Sequence, residues 1–213
     1  DNGSSDPCGL ASLIVSPANF NCGNIGANAV TLTVTDNSGN SATCGASVTV
    51  EDNVNPAAVC QAITVQLDAA GNALITTNDI DNGSSDACGI QSKTISQSSF
   101  TCSNVGTQTL TLTVNDVNSN SSQCTSEVTV QDTIQPVALC QDVILILDPT
   151  GNASVTTAQV DNGSSDACGL QSLSVTPSSF DCDVAGTNNV TLTATDVNSN
   201  FQTCTADVLV QDT

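Results

Sequence analysis

Residues 109–130 read Thr-Leu-Thr-Leu-Thr-Val-Asn-Asp-Val-Asn-Ser-Asn-Ser-Ser-Gln-Cys-Thr-Ser-Glu-Val-Thr-Val. Leu110, Leu112 and Val114 alternate with threonine and asparagine, and beyond a short Asp116–Asn120 turn Cys124, Ser126, Val128 and Val130 share one parity. A period of two sends alternate side chains to opposite faces, so the stretch predicts two antiparallel β-strands, each with one face toward a core. Threonine and valine suit a pleated, half-buried surface, and nothing here repeats at helical spacing.

Nearly the same passage occurs three times. TLTVTD, TLTVND and TLTATD end at Asp36, Asp116 and Asp196, while DNGSSDPCGL, DNGSSDACGI and DNGSSDACGL begin at residues 1, 81 and 161. Phe20/Phe100/Phe180, Gly26/Gly106/Gly186 and Cys44/Cys124/Cys204 keep the same step of 80 residues, the mark of a tandem array. VNPAAVCQAITVQLDAAGNALITTNDI at 54–80 matches IQPVALCQDVILILDPTGNASVTTAQV at 134–160, with no counterpart before residue 1. The expected organisation is an incomplete first copy at 1–52, lacking its opening hairpin, and full copies at 53–132 and 133–213. In a full copy the pattern predicts about seven strands, among them a hairpin of 63–67 and 73–80 around the Asp68–Asn72 turn, strands near 90–95 and 100–105, and the pair flanking Asp116.

Composition removes several function classes. The 213 residues include 21 acids, a single base (Lys93), and no His, Met, Trp or Tyr, for a formal charge of -20. Without imidazole or guanidinium, general-base triads and phosphate clamps lack their parts. The charge repels nucleic acid, and four Phe make no platform for single strands. Paired carboxylates occur only in repeated loops with no cleft-forming insertion, which argues against a glycosidase. No apolar run approaches the ~18 residues of a membrane span, so no membrane insertion is expected. The opening Asp1-Asn-Gly-Ser4 is no signal peptide, and the expectation is a mature or excerpted soluble segment. Eleven cysteines, without a Cys-x-x-Cys pair or any His, point to disulfides in an oxidising, extracellular compartment.

Further pieces carry a family resemblance: Cys60 and Cys140 after linker prolines 56 and 136, the Asp-Ala-Cys-Gly loops at 86–89 and 166–169, the Val105-Gly-Thr107 turn before a TLTxxD strand, and Asp36-Asn-Ser-Gly-Asn-Ser-Ala-Thr-Cys44. With these the chain resembles tandem hyalin-type (HYR-like) repeats of large secreted surface proteins of Bacteroidetes-type bacteria. The resemblance implies an all-β fold of tandem immunoglobulin-like antiparallel β-sandwich domains arranged as a rod. By spacing alone, the four cysteines of a copy allow three pairings. The strand order implied by the resemblance brings Cys60 to Cys124 and Cys140 to Cys204. That leaves Cys88–Cys102, Cys168–Cys182 and, by repetition, Cys8–Cys22, with the partner of Cys44 expected in an upstream opening segment.

The same strand order gathers Asp52, Asp81, Asp86 and Asp116 at one junction and Asp132, Asp161, Asp166 and Asp196 at the next; Asp1, Asp6 and Asp36 hold the corresponding places in the first copy. Converging carboxylates repel one another unless a cation lies between them, and hard oxygen ligands without imidazole or thiolate favour Ca2+. A plainer reading of these residues is turn chemistry and solubility. Asp132-Thr-Ile134 matches an O-glycosylation signal of Bacteroidetes-type secreted proteins, which makes Thr133 a candidate acceptor. The expected function is a non-enzymatic structural or adhesive segment of an extracellular filament or long cell-surface protein, disulfide-bonded and calcium-rigidified. The alternative is a carbohydrate- or protein-binding accessory module of a secreted enzyme. Expected partners are copies of the chain itself, head to tail or in a continuous polymer, with strand donation to residues 1–52 as one route, and other surface or matrix components.

Overall fold

A computed structural model describes residues 1–212; Thr213, the last residue of the third expected copy, lies outside the described residues. The first copy forms β1 (Leu10–Ser16), β2 (Gly26–Asp36) and β3 (Ser41–Val50), one antiparallel sheet in that order. The second contains β4 (Ile63–Gln66), β5 (Asn72–Leu74), a helical turn α1 (Thr77–Ile80), β6 (Ile90–Ile95), β7 (Ser99–Thr101), β8 (Gly106–Asp116) and β9 (Ser121–Gln131). The third repeats this as β10 (Val143–Ile146), β11 (Asn152–Ser154), α2 (Thr157–Val160), β12 (Leu170–Thr176), β13 (Ser179–Asp181), β14 (Gly186–Asp196) and β15 (Phe201–Gln211). Each full copy has a four-stranded sheet, β4-β9-β8-β6 or β10-β15-β14-β12, and a two-stranded one, β5-β7 or β11-β13. The fold is all-β, a tandem of immunoglobulin-like sandwiches. No helix among the described residues is long and apolar enough to cross a membrane.

By packing, the described chain falls into two compact units. One comprises Asp1–Cys60, Asp81–Thr94 and Leu112–Cys124, the other Gln61–Ile80, Ile95–Thr111 and the chain from Thr125 onward. In the second unit the alternation produces the core directly. Val190 and Leu192 of β14, Ala206, Val208 and Val210 of β15, and Leu145 of β10 pack with Phe180 of β13 and with Val155 and Val160. Each large apolar side chain so buried contributes on the order of 1.5–3 kcal/mol before entropy is counted. In the first unit Val30 of β2 is buried, whereas Leu13, Ile14, Val15 and Val48 are exposed.

The expected hairpin at the start of a full copy is corrected. Its turn forms, with the Asp148 N–H donating to Asn152 O at 2.9 Å and the Gly151 N–H to Asp148 O at 2.8 Å. Its two arms, however, belong to different sheets. β10 runs parallel to β15, with Val143 beside Val208, while β11 pairs antiparallel with β13, Ala153 beside Phe180; β4 and β9 pair as β10 and β15 do. Leu145 and Leu147 are buried while Ile144 and Ile146 are exposed, so the arm needs a core-facing neighbour, and β15 provides one. Residues 157–160, expected as the end of a strand, form a helical turn that seats Val160 in the core. A full copy therefore has six strands, one α-helical turn and one 3-10 turn, Cys102–Asn104 or Cys182–Val184.

Candidate functional site

Three polar segments meet at the start of each full copy. The first is the loop after β8, where Asp116 is fully buried. Its Oδ1 accepts from the Asn118 and Asn120 backbone N–H groups, both at 2.8 Å, and its Oδ2 from Asn120 Nδ2 at 2.7 Å. Burial works against this carboxylate, but the bonds from Asn120, then Asn118 and Ser119, outweigh it and hold the carboxyl below the usual value. Asp196 repeats the arrangement with Asn198 and Asn200, and Asp36 with Ser38 and Asn40.

The second segment is the loop holding Asp86, whose Oδ1 accepts from Cys88 N at 2.7 Å and Gly89 N at 3.1 Å. The Val117 N–H donates to Gly89 O at 3.2 Å and so fastens this loop to the first. The third segment is the linker. Asn120 Nδ2 donates to Asp52 O at 3.1 Å, and Asp52 Oδ1 accepts from Val54 N at 3.1 Å. The next copy reproduces four of these links, Asn200 Nδ2 to Asp132 O at 3.2 Å, Ile134 N to Asp132 Oδ1 at 3.0 Å, Cys168 N to Asp166 Oδ1 at 2.7 Å, and Val197 N to Gly169 O at 3.1 Å, while Gly169 N donates to the Asp166 carbonyl at 3.2 Å.

The result is two small oxygen clusters. A carboxylate oxygen of Asp52, one of Asp86 and the Cys88 Sγ lie within 4.8 Å of one another, as do those of Asp132, Asp166 and Cys168. Asp52 Oδ2, Asn118 Oδ1, Asp132 Oδ2 and Asn198 Oδ1 are buried with no hydrogen-bond partner. Asp132 and Asn198 line one cleft with Val105, Gly106 and residues 129–133. Leaving a polar atom buried and unpaired costs about 1–3 kcal/mol, and more when it is charged.

Of the expected ligands, the structure brings together Asp52 with Asp86 and Asp132 with Asp166. The others bond within their own loops or to Lys93. Asp81 pairs with Lys93 and accepts from Ser84 N at 3.1 Å; burial opposes its ionised form, but Lys93 and Ser84 prevail and lower its carboxyl. Asp161 accepts from Ser164 N at 2.9 Å, and Asp116 and Asp196 face their own loops. In the first copy Asp1 accepts from Ser4, Asp6 from Cys8 N, and Asp36 from its loop. Asn118 and Asn198 were missed by the sequence reading. The signal was present: Asp-Val-Asn-Ser-Asn is identical at 116–120 and 196–200, whereas Ser38 stands at the corresponding place in the first copy. Thr133 is exposed and its Oγ1 donates to Gln66 Oε1 at 3.2 Å.

Four disulfides accompany the clusters. Cys60–Cys124 and Cys140–Cys204 close full copies upon themselves. The local pairs Cys8–Cys22, Cys88–Cys102 and Cys168–Cys182 are not formed; instead Cys22 bonds Cys88 and Cys102 bonds Cys168, from one copy into the next. The reason lies in the strands. β12 carries the chain about 23 Å from Cys168 while β13 returns only about 10 Å before Cys182, and a bridge needs Cα atoms within about 7 Å. Cys8, Cys44 and Cys182 are exposed free thiols. Four disulfides mark an extracellular or secreted setting.

The chain matches no family model and no curated protein. Among solved structures it is similar to cadherin domains 1–4 of protocadherin gamma B7 at 12% identity and TM-score 0.39, over 90% of this chain and 59% of that one. It is similar to human protocadherin-24 EC1-2 at 15% and 0.39, over 76% and 100%. It is similar also to titin domains I67–I69 in an E-to-A mutated variant at 11% and 0.38, over 97% and 84%. At such values the assignment of tandem β-sandwich copies rests on the strands, their pairing and the core of this chain.

Proposed function

We propose that the chain is a non-enzymatic structural or adhesive segment of an extracellular filament or long bacterial cell-surface protein, built from disulfide-bonded, calcium-rigidified immunoglobulin-like copies. The observation that carries this reading is the overlap of the bridges. Cys22–Cys88, Cys60–Cys124, Cys102–Cys168 and Cys140–Cys204 enclose successive, overlapping spans. Every backbone bond from residue 22 to 204 therefore lies inside at least one covalent loop. Such continuity suits a part that must hold under tension. The sequence resemblance to hyalin-type repeats supports the surface setting, and the repetition of one module favours assembly with further copies over a unique binding cleft.

Pulling single molecules between Cys22 and Cys204 tests it. The shortest covalent path crosses to Cys88, follows the backbone to Cys102, crosses to Cys168, returns to Cys140 and crosses to Cys204. Fully stretched, it spans about 160 Å, against about 620 Å for the unbridged backbone. Extension that stops near the shorter length until reductant is added supports a load-bearing segment. Free extension to the longer length in oxidising buffer removes the reading.

A further inference from the structure

We propose that the chain holds two equivalent calcium sites, one formed by Asp52, Asp86 and Asn118 and the other by Asp132, Asp166 and Asn198. This deepens the calcium-rigidified reading above by naming the ligands, the number of ions and the segments they join. The third site donor is an asparagine amide, and Asp81, Asp116, Asp161 and Asp196 take no part.

The argument begins with what the clusters lack. Asp132 is only 8% exposed, yet its Oδ2 has no donor, and neither does the buried Oδ1 of Asn198, which lines the same cleft. The equivalent oxygens of Asp52 and Asn118 are likewise buried without a partner. The other oxygen of each linker aspartate is fixed by a backbone N–H two residues on, and Asp86 and Asp166 are fixed likewise through Oδ1. The carboxylates are thus oriented, with an oxygen of Asp52 within 4.8 Å of one of Asp86, and an oxygen of Asp132 equally near one of Asp166. No side-chain cation serves them, since Lys93, the single base, pairs with Asp81.

The donor set selects the ion. Two carboxylates and an amide oxygen are hard ligands that together balance a divalent charge. The neighbouring sulfurs of Cys88 and Cys168 are locked in disulfides and offer no thiolate to zinc or copper. Ca2+ accepts about 6–8 oxygens in irregular geometry and completes its shell with backbone carbonyls and water, whereas Mg2+ demands a near-octahedral set. The position gives the ion its effect. In each site the linker aspartate leads out of one copy, and the other two donors lie on loops of the next. Asp86 and Asp166 sit two residues from a cysteine bridged back to the preceding copy. Ion and disulfide therefore hold the same loop.

Equilibrium dialysis of the disulfide-intact chain against calcium in magnesium-containing buffer, with thermal unfolding alongside, tests the proposal. The expected result is two Ca2+ per chain and a higher Tm on binding. Asn118→Ala leaves one ion, held by the Asn198 site, which also reports that the variant has folded. Asp81→Asn keeps two. Asn118→Asp separates the proposal from its rival, in which the amide is turned to donate Nδ2 to Asp52. With a metal, the added carboxylate keeps the site and binds calcium at least several-fold tighter. With an amide hydrogen bond, it lowers the Tm with and without calcium. That last outcome, no bound calcium at millimolar concentration, or loss of an ion on Asp81→Asn overturns the proposal. If calcium fails to bind while extension remains limited by the disulfides, the sites fall and the structural role stands; unlimited extension with two bound ions gives the reverse.

Discussion

At the scale of single residues, Asp116 shows how one carboxylate organises a loop. Its three accepted bonds hold the chain at Ser119 in the left-handed region, φ 77°, the place that Gly39 fills in the first copy at φ 86°. Because the bonds from Asn120, Asn118 and Ser119 outweigh burial and hold the folded carboxyl below its ordinary value, the folded state takes up a proton less readily than the unfolded chain. The stabilisation is then complete above the ordinary carboxylate range and is lost as pH falls through the lower folded value. We predict that Asp116→Asn lowers the Tm at neutral pH and flattens the fall of Tm as pH drops below the ordinary carboxylate range; parallel melting curves for the two proteins across that range would contradict this. A second residue-scale prediction concerns Gly71 and Gly151, at φ 76° and 77°. An added Cβ would lie 2.6 Å from the bridged Cys102 Sγ in one case and 2.7 Å from the free Cys182 Sγ in the other. Both alanine variants carry the backbone strain, but a free thiol can rotate away. Gly71→Ala should therefore cost about 1–3 kcal/mol more than Gly151→Ala in urea unfolding. The turns themselves were readable in the sequence. The orphaned amide oxygens were not, because whether an asparagine caps a turn or faces a carboxylate depends on what the linker brings beside it.

At the scale of elements, the long strands were legible because alternation survives wherever one face is buried and the other wet. Leu192 and Val208 are fully buried on such strands, while Phe201, outside the pattern, is exposed. The short elements were not legible. Val143–Ile146 alternates whether it pairs with its own hairpin partner or crosses to lie parallel to β15, and four residues such as 157–160 are too few for a helical period to show. The parity of burial decides what a substitution does. Leu145→Ala, which empties core space beside Phe180 and Val208, should destabilise by about 2–5 kcal/mol. Ile144→Thr, one residue away on the exposed face, should stay within about 0.5 kcal/mol. Equal costs in denaturant unfolding would mean that β10 is not paired in the register described.

At the scale of the whole chain, the decisive relation is which cysteines meet, and period alone hid it. An exact repeat makes each copy look self-sufficient, so a local pair such as Cys168–Cys182 is the natural reading, although β12 and β13 carry those residues apart. Two residues allow the alternatives to be separated cleanly. Glu51 and Glu127 are the only glutamates, and cleavage after both yields fragments 1–51, 52–127 and 128–213. Under local pairing every bridge lies within one fragment, and the three separate without reductant. Under the observed pairing Cys22–Cys88 joins the first fragment to the second and Cys102–Cys168 joins the second to the third. With free thiols alkylated in acid and the chain denatured before glutamate-specific digestion, we predict one species near the intact 21.4 kDa on a non-reducing gel. Reduction should resolve it into three fragments, with alkylation confined to Cys8, Cys44 and Cys182. Three bands without reductant would restore local pairing and, with it, leave successive copies joined by backbone alone, removing the covalent overlap on which a tension-bearing role depends.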